Sequence, residues 1–240
     1  MVQIARLQNI PQVGRLPGRV LKAYEDKEHA TAFIRKGEIR LGRASFYKST
    51  EDGGRRDPDE GEARFRAPGP VETISMNCIT GNVSGRHVEA GLLNYSGSFI
   101  NPVFLFCCSS SRVERANQIE KFGPFIVEIY DTKQLLLSLL SSLSRTDVQG
   151  RKVMWVDSFK VAYKKDEILG PRQNTRIHTF IGHKRPEYSR DREIRIAVCY
   201  SGTLEDAPES IKLSLPEPID FVGGSLNVRP FTGLLGGGAN

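Results

Sequence analysis

The chain has 240 residues, of which 39% are hydrophobic, 26% charged and 8% aromatic, and it carries a formal charge of +6. Those proportions exclude a disordered chain, a coiled coil and a collagen, and the length suits one large domain or two small ones. The longest apolar runs, Val103 to Cys108 and Leu135 to Leu140, fall well short of the roughly 20 residues of a bilayer-spanning helix, so no transmembrane helix is expected.

Val20 to Tyr24 alternates apolar and polar residues and reads as an early strand. Asp26 follows as a helix N-cap, Ala30, Phe33 and Ile34 make one apolar face, and Gly37 stands where the helix needs a left-handed cap. Ile39 to Leu41 and Ala44 to Tyr47 read as two short strands around Gly42. From Ser49 to Ala67 charge, Gly and Pro crowd out any apolar period, which predicts a loop. Val71 to Ile79 reads as a strand, Thr80-Gly81-Asn82 as a turn and Val88 to Tyr95 as a further element. Val103 to Cys108 is continuously apolar and of strand length, the pattern of a central strand buried on both faces, and it ends in Ser109-Ser110-Ser111. Phe125 to Tyr130 is a strand, Asp131 caps a helix through Leu143, and Val153 to Tyr163 alternates as a strand bearing Trp155. A short segment, Phe180 to Pro186, precedes the strand Glu193 to Tyr200, after which the spacing is irregular. Many strands and two or three helices, without regular alternation, predict an α+β fold with a mostly antiparallel sheet. The expected organisation is one domain over residues 1–232 and a poorly ordered glycine-rich tail over 233–240.

Generic catalytic templates are missing: the sequence contains no P-loop, no H-E-x-x-H, no G-x-S-x-G and no dinucleotide glycine fingerprint. Met1 to Arg19 lacks the basic and apolar regions of a secretory signal, so a cytoplasmic location is expected. Cys78, Cys107, Cys108 and Cys199 show no metal-ligand spacing and read as buried small hydrophobes in a reducing compartment. His29, His87, His178 and His183 are too scattered to predict a metal site.

Two polar constellations carry the chemistry. In the first, Arg40 and Tyr47 lead into Arg56 and Asp57: arginine grips phosphate bidentately, tyrosine stacks on a base or nicotinamide ring, and the carboxylate fixes a ribose. In the second, Lys184 precedes Asp191, Glu193 and Arg195, which share one face if the segment is extended. A carboxylate between fixed cations stays ionised, binds a ribose hydroxyl and stabilises an oxocarbenium ion. A third group, Cys107-Cys108-Ser109-Ser110-Ser111, places small hydroxyls at the end of the buried strand.

In order along the chain, a helix ending in Gly37, the strand Ile39-Arg40-Leu41-Gly42, the pair Phe46-Tyr47, the loop Asp57-Pro58-Asp59-Glu60-Gly61, the strand Phe106-Cys107-Cys108-Ser109 and the late Lys184, Tyr188 and Glu193-Ile194-Arg195 resemble a bacterial and phage family with a divergent ADP-ribosyltransferase fold. The resemblance implies NAD as substrate, Glu193 as the catalytic carboxylate and Ser109 or Ser110 as the hydroxyl that orients it. It also implies Arg40, Tyr47, Arg56, Asp57, Lys184, Asp191 and Arg195 as NAD-binding residues. The histidine that such folds carry on an early strand is absent from Val20 to Tyr24, leaving Arg19, Lys22 or Arg40 in its place. The activity implied is that of a toxin, a defence effector or a phage-encoded modifier acting on a protein or nucleic-acid target.

Two readings from other classes stand beside it. Arg55, Arg56, Lys184, Arg185, Arg190 and Arg192 suit a basic module that binds nucleic acid or a host or phage protein without turnover. Asp57, Glu60 and Glu193 with Lys184 would suit a metal-dependent nuclease if they converged.

Overall fold

The structure is a computed structural model that describes residues 17–49, 63–68, 81–89, 92–99, 101–110, 115–146, 148–163, 181–216 and 221–224. Its first unit follows the sequence closely. Strand β1 (Val20–Tyr24) leads to helix α1 (Lys27–Lys36), where the Asp26 carboxylate accepts from the Glu28 backbone N–H and Gly37 closes the helix at φ 65°. Strand β2 (Glu38–Arg43) follows, its Ile39 and Leu41 buried.

Beyond β2 the chain turns into helix α2 (Ala44–Ser49) where the sequence suggested a strand. A short apolar segment cannot be assigned by periodicity alone, and tertiary contacts decide it. The Arg43 guanidinium donates to the carbonyls of Leu204 and Ala207 at 2.9 and 2.6 Å, which pins the chain as it leaves the sheet. Strands β3 (Ala63–Pro68), β4 (Gly81–Glu89) and β5 (Leu92–Phe99) form a separate antiparallel sheet in the order β3-β5-β4. The expected loop therefore gives way to strand at Ala63, Gly81 and Asn82 extend rather than turn, and Val88 to Tyr95 spans parts of two strands. Residues 71–79 lie outside the described residues.

Strand β6 (Val103–Ser110) is the buried centre the sequence predicts, though it runs through Ser109 and Ser110. Helix α3 (Arg115–Phe122) follows, unforeseen because eight residues show little periodicity, and then β7 (Phe125–Ile129) and α4 (Thr132–Leu143), capped by Asp131. Strand β8 (Val153–Lys160), β9 (Ala162–Tyr163) and β10 (His183–Lys184) precede a 3-10 segment (Pro186–Asp191) and β11 (Glu193–Tyr200). Strands β12 (Ser210–Ser214) and β13 (Val222–Gly224) lie where the sequence spacing looked irregular, and four α-helices are described rather than two or three.

The fold is α+β, and all pairings in its eight-stranded main sheet are antiparallel. Strand β11 runs along one edge of β6, from Glu193 opposite Ser109 to Cys199 opposite Val103, and β8 lies beyond it. The other edge of β6 is divided. Strand β2 takes Phe104 and Leu105, β1 takes Ser109 and Ser110, and between them the sheet forks. One face, with Phe104, Phe106, Ile194, Ile196 and Val198, packs against Phe33 of α1 and Leu135, Leu136 and Leu139 of α4 in the main core. Alternation sends Leu105, Ala197, Ser109, Glu193 and Arg195 to the other face. On that second face Val103, Leu105, Ala197 and Cys199 pack with Ala44 and Ile181 in a smaller apolar cluster, and the polar groups gather at its Ser109 and Glu193 end.

Candidate functional site

At the fork lies a cleft of about 660 Å³, within the range of small-molecule sites. Its walls are β1 and β2, and Cys107, Cys108 and Ser109 of β6 line it where the strands part. The carbonyl of Cys107, left without a strand on that edge, accepts from Lys22 Nζ at 2.8 Å. The same ammonium stands 5.2 Å from the Phe106 ring centre and 5.7 Å from that of Tyr24, so the cation is fixed by a carbonyl and two π faces.

Glu193 is the first residue of β11, and its backbone is anchored on both sides: its N–H donates to Tyr163 Oη at 2.7 Å and its carbonyl accepts from the Val161 N–H at 3.0 Å. Arg195, two residues along and on the same face, donates from Nε to Glu193 Oε1 at 2.8 Å and from a terminal nitrogen to the Ile181 carbonyl. The parallel pairing of β10 with β9 sets Lys184 opposite Tyr163, and from there Lys184 Nζ reaches Glu193 Oε2 at 2.9 Å. Burial by itself would raise the Glu193 carboxyl; Arg195 first and Lys184 second outweigh it, through charge and hydrogen bonds, and hold the group well below the usual carboxylate range. Glu193 is therefore an anion at neutral pH. Burial pushes the Tyr163 hydroxyl up to about 12, so it stays protonated.

Asp191 does not reach the site by strand alternation. It ends the 3-10 segment, and Arg192, left-handed at φ 43°, turns the chain into β11. A side chain other than glycine is uncommon there, and such backbone concentrates at functional sites. Asp191 still lines the cleft, buried, with Oδ2 2.6 Å from Lys121 Nζ of α3. Two ammonium groups stand near the Tyr188 ring, Lys121 at 4.9 Å and Lys184 at 5.4 Å from its centre, which ties the 3-10 segment to the site.

Ser109 stands beside Glu193 in register, but its hydroxyl donates to Gln118 Oε1 at 3.0 Å, and Arg195 and Lys184 orient the carboxylate instead. Arg40 lines the cleft from β2, its Nε donating to Ser210 Oγ at 2.8 Å. Tyr47 lines it from α2 and lies against Gly42, where a Cβ would come within 2.6 Å of Tyr47 Oη. Seven residues singled out from sequence, Arg40, Tyr47, Ser109, Lys184, Asp191, Glu193 and Arg195, therefore border one cleft. Arg56 and Asp57 lie outside the described residues, as do Arg55 and Glu60. Of the substitutes for the early histidine, Lys22 and Arg40 line the cleft, whereas Arg19 turns to Glu128 at 4.0 Å and to the Tyr130 ring.

Gln118, Tyr24, Lys121 and Tyr163 were not foreseen, nor was Lys212, which lies opposite Arg40 across the β2–β12 pair and lines the cleft with it. The alternation of Ile211 and Leu213 was the signal that would have revealed β12. Arg185, Arg190 and Arg192 are exposed, and Arg185 lies 3.7 Å from Glu187. Among the described residues no group of three His, Cys, Asp or Glu is placed to hold a metal ion, and no helix is long and apolar enough to cross a membrane. No protein-family model matches the chain, and neither a curated protein nor a solved structure does.

Proposed function

We propose that the protein binds NAD in the cleft at the fork and transfers its ADP-ribosyl group to a protein or nucleic-acid target. The observation that carries this reading is Glu193, an ionised carboxylate bordering a cleft of ligand size and fixed by its strand, Arg195 and Lys184. Each carboxylate oxygen has lone pairs beyond those used by the two cations, so it can accept a ribose hydroxyl as well. Breaking the glycosidic C–N bond leaves its electron pair on the nicotinamide nitrogen and positive charge on the ribose. The carboxylate, already held in place by its two cations, accepts the ribose hydroxyl without rearranging as that charge forms. Lys22, Arg40 and Lys212 line the same cleft and offer their charges to the pyrophosphate. Tyr47 offers a ring for stacking. The acceptor nucleophile then bonds to the anomeric carbon in place of the departed nicotinamide and releases its proton to solvent.

Calorimetric titration with NAD, followed by a nicotinamide-release assay, tests this. The wild-type chain should bind and release nicotinamide. Glu193→Gln, checked for native circular dichroism at low temperature, should lose release. No NAD binding at millimolar concentration, or full release by the variant, overturns the reading. Salt-sensitive binding of polynucleotide without NAD binding would assign the basic module instead.

A further inference from the structure

Gln118 is 2% exposed, yet its amide nitrogen has no hydrogen-bond partner among the described residues. Leaving such a donor buried and unmet is costly, and native interiors rarely do so without a reason. The other end of the amide is committed, because Oε1 accepts from Ser109 Oγ at 3.0 Å. With Ser109 donating to Oε1, the atom left unmet is the amide nitrogen, a donor. Gln118 lines the cleft, and Ser109, which holds it, is the register partner of Glu193. Opposite residues of antiparallel strands lie about 5 Å apart, so Ser109 holds Gln118 at the Glu193 end of the cleft that both residues line. The two demands are complementary. Glu193 asks for a hydroxyl, and Gln118 asks for an oxygen that accepts.

We infer that Gln118 is a specificity-determining residue whose N–H donates to the carboxamide oxygen of the nicotinamide ring. This rests on the NAD reading above, in which Glu193 holds a hydroxyl of the ribose joined to that ring. A ribose joined to a pyridinium ring supplies both: a hydroxyl on the sugar and, on the ring carbon two atoms from the scissile bond, a carboxamide oxygen that accepts. Ser109 is then a positioning residue: it sets the orientation of the amide and acts on the ligand through Gln118. Without its hydroxyl the amide is free to turn over and present oxygen to oxygen.

The experiment measures the affinity of NAD and of its analogue with sulfur in place of the carboxamide oxygen, a much weaker acceptor. The proteins are the wild type, Gln118→Leu and Gln118→Glu. The wild type should bind NAD roughly five- to tenfold more tightly than the thio analogue, the worth of one neutral hydrogen bond. Both variants should lose that preference and bind NAD weaker by a similar factor. Gln118→Leu removes the unmet donor and should fold; Gln118→Glu keeps an acceptor for Ser109, so one of the two reports even if the other is unstable. Ser109→Ala should reduce the preference while leaving the thio analogue's affinity within about twofold of wild type. If the wild type binds NAD but either folded Gln118 variant keeps the preference, the assignment of Gln118 is overturned and the NAD reading stands. If the wild type binds neither dinucleotide, both fall.

Discussion

Replacing Glu193 by Gln should cost stability as well as activity, because the carboxylate is the counterion of two buried cations. The side chain of Glu193 is 9% exposed, that of Arg195 1% and that of Lys184 11%. Breaking a buried ion pair by removing one partner costs about 3–5 kcal/mol, most of it from the charge left behind. Glutamine keeps one carbonyl oxygen for one of the cations, and Arg195 keeps the Ile181 carbonyl, so the loss should lie near the lower end, about 3 kcal/mol. For a chain of this length that lowers the melting temperature by roughly 6–12 °C. Urea unfolding of wild type, Glu193→Gln, Lys184→Met and the double variant gives the coupling, expected at about 1–3 kcal/mol. The pH dependence supplies an independent check. In the unfolded chain Glu193 titrates near its ordinary 4.5, and in the folded protein it titrates lower. Between those values only the unfolded state binds the proton. The stabilisation is therefore complete above about pH 5 and is lost as pH falls toward the folded value. The wild-type advantage over Glu193→Gln should shrink on acidification below that point. A variant within about 0.5 kcal/mol of wild type at neutral pH, or an advantage that grows in acid, would refute the ion-pair account.

Gly42→Ala should disturb the ligand cleft more than the fold. The new methyl would stand 2.6 Å from Tyr47 Oη and 2.9 Å from Cζ, so the ring must move, at about 1–3 kcal/mol, and NAD titration should show weaker binding in a protein with native circular dichroism. Gly37→Ala, at φ 65°, should destabilise by roughly 1 kcal/mol through the cap of α1, read from the urea midpoint. Burial pushes the thiol of Cys199, which lies away from the cleft, up to about 12, so at pH 8 it should not react with a thiol reagent in the folded protein; its rapid native-state labelling, located by peptide mass, would contradict its burial.

Local physics made much of this protein legible in one dimension. Asp26 and Gly37 bounded α1, the apolar run from Val103 marked the centre of the sheet, and the Lys184 and Glu193 to Arg195 segment announced the polar cluster, because caps, periods and charge runs are written in neighbouring residues. Alternation also sufficed to put Glu193 and Arg195 on one face. It failed at Asp191, since a left-handed Arg192 intervenes and no sequence period reports a single unusual φ.

The cleft itself was decided by tertiary structure. Only the divided edge of β6, with β2 at Leu105 and β1 at Ser109, opens the sheet and leaves the Cys107 carbonyl to Lys22, 85 residues away. The same is true of Tyr163 on the Glu193 backbone, of Lys121 against Asp191, and of Gln118, which diverts the Ser109 hydroxyl from the carboxylate that the sequence would have it orient. The sequence determined which elements form and where the charges are grouped. Which carboxylate is ionised, and which amide is left unmet beside it, depends on burial and on partners far away in the chain, and those exist only once the sheet has closed around them.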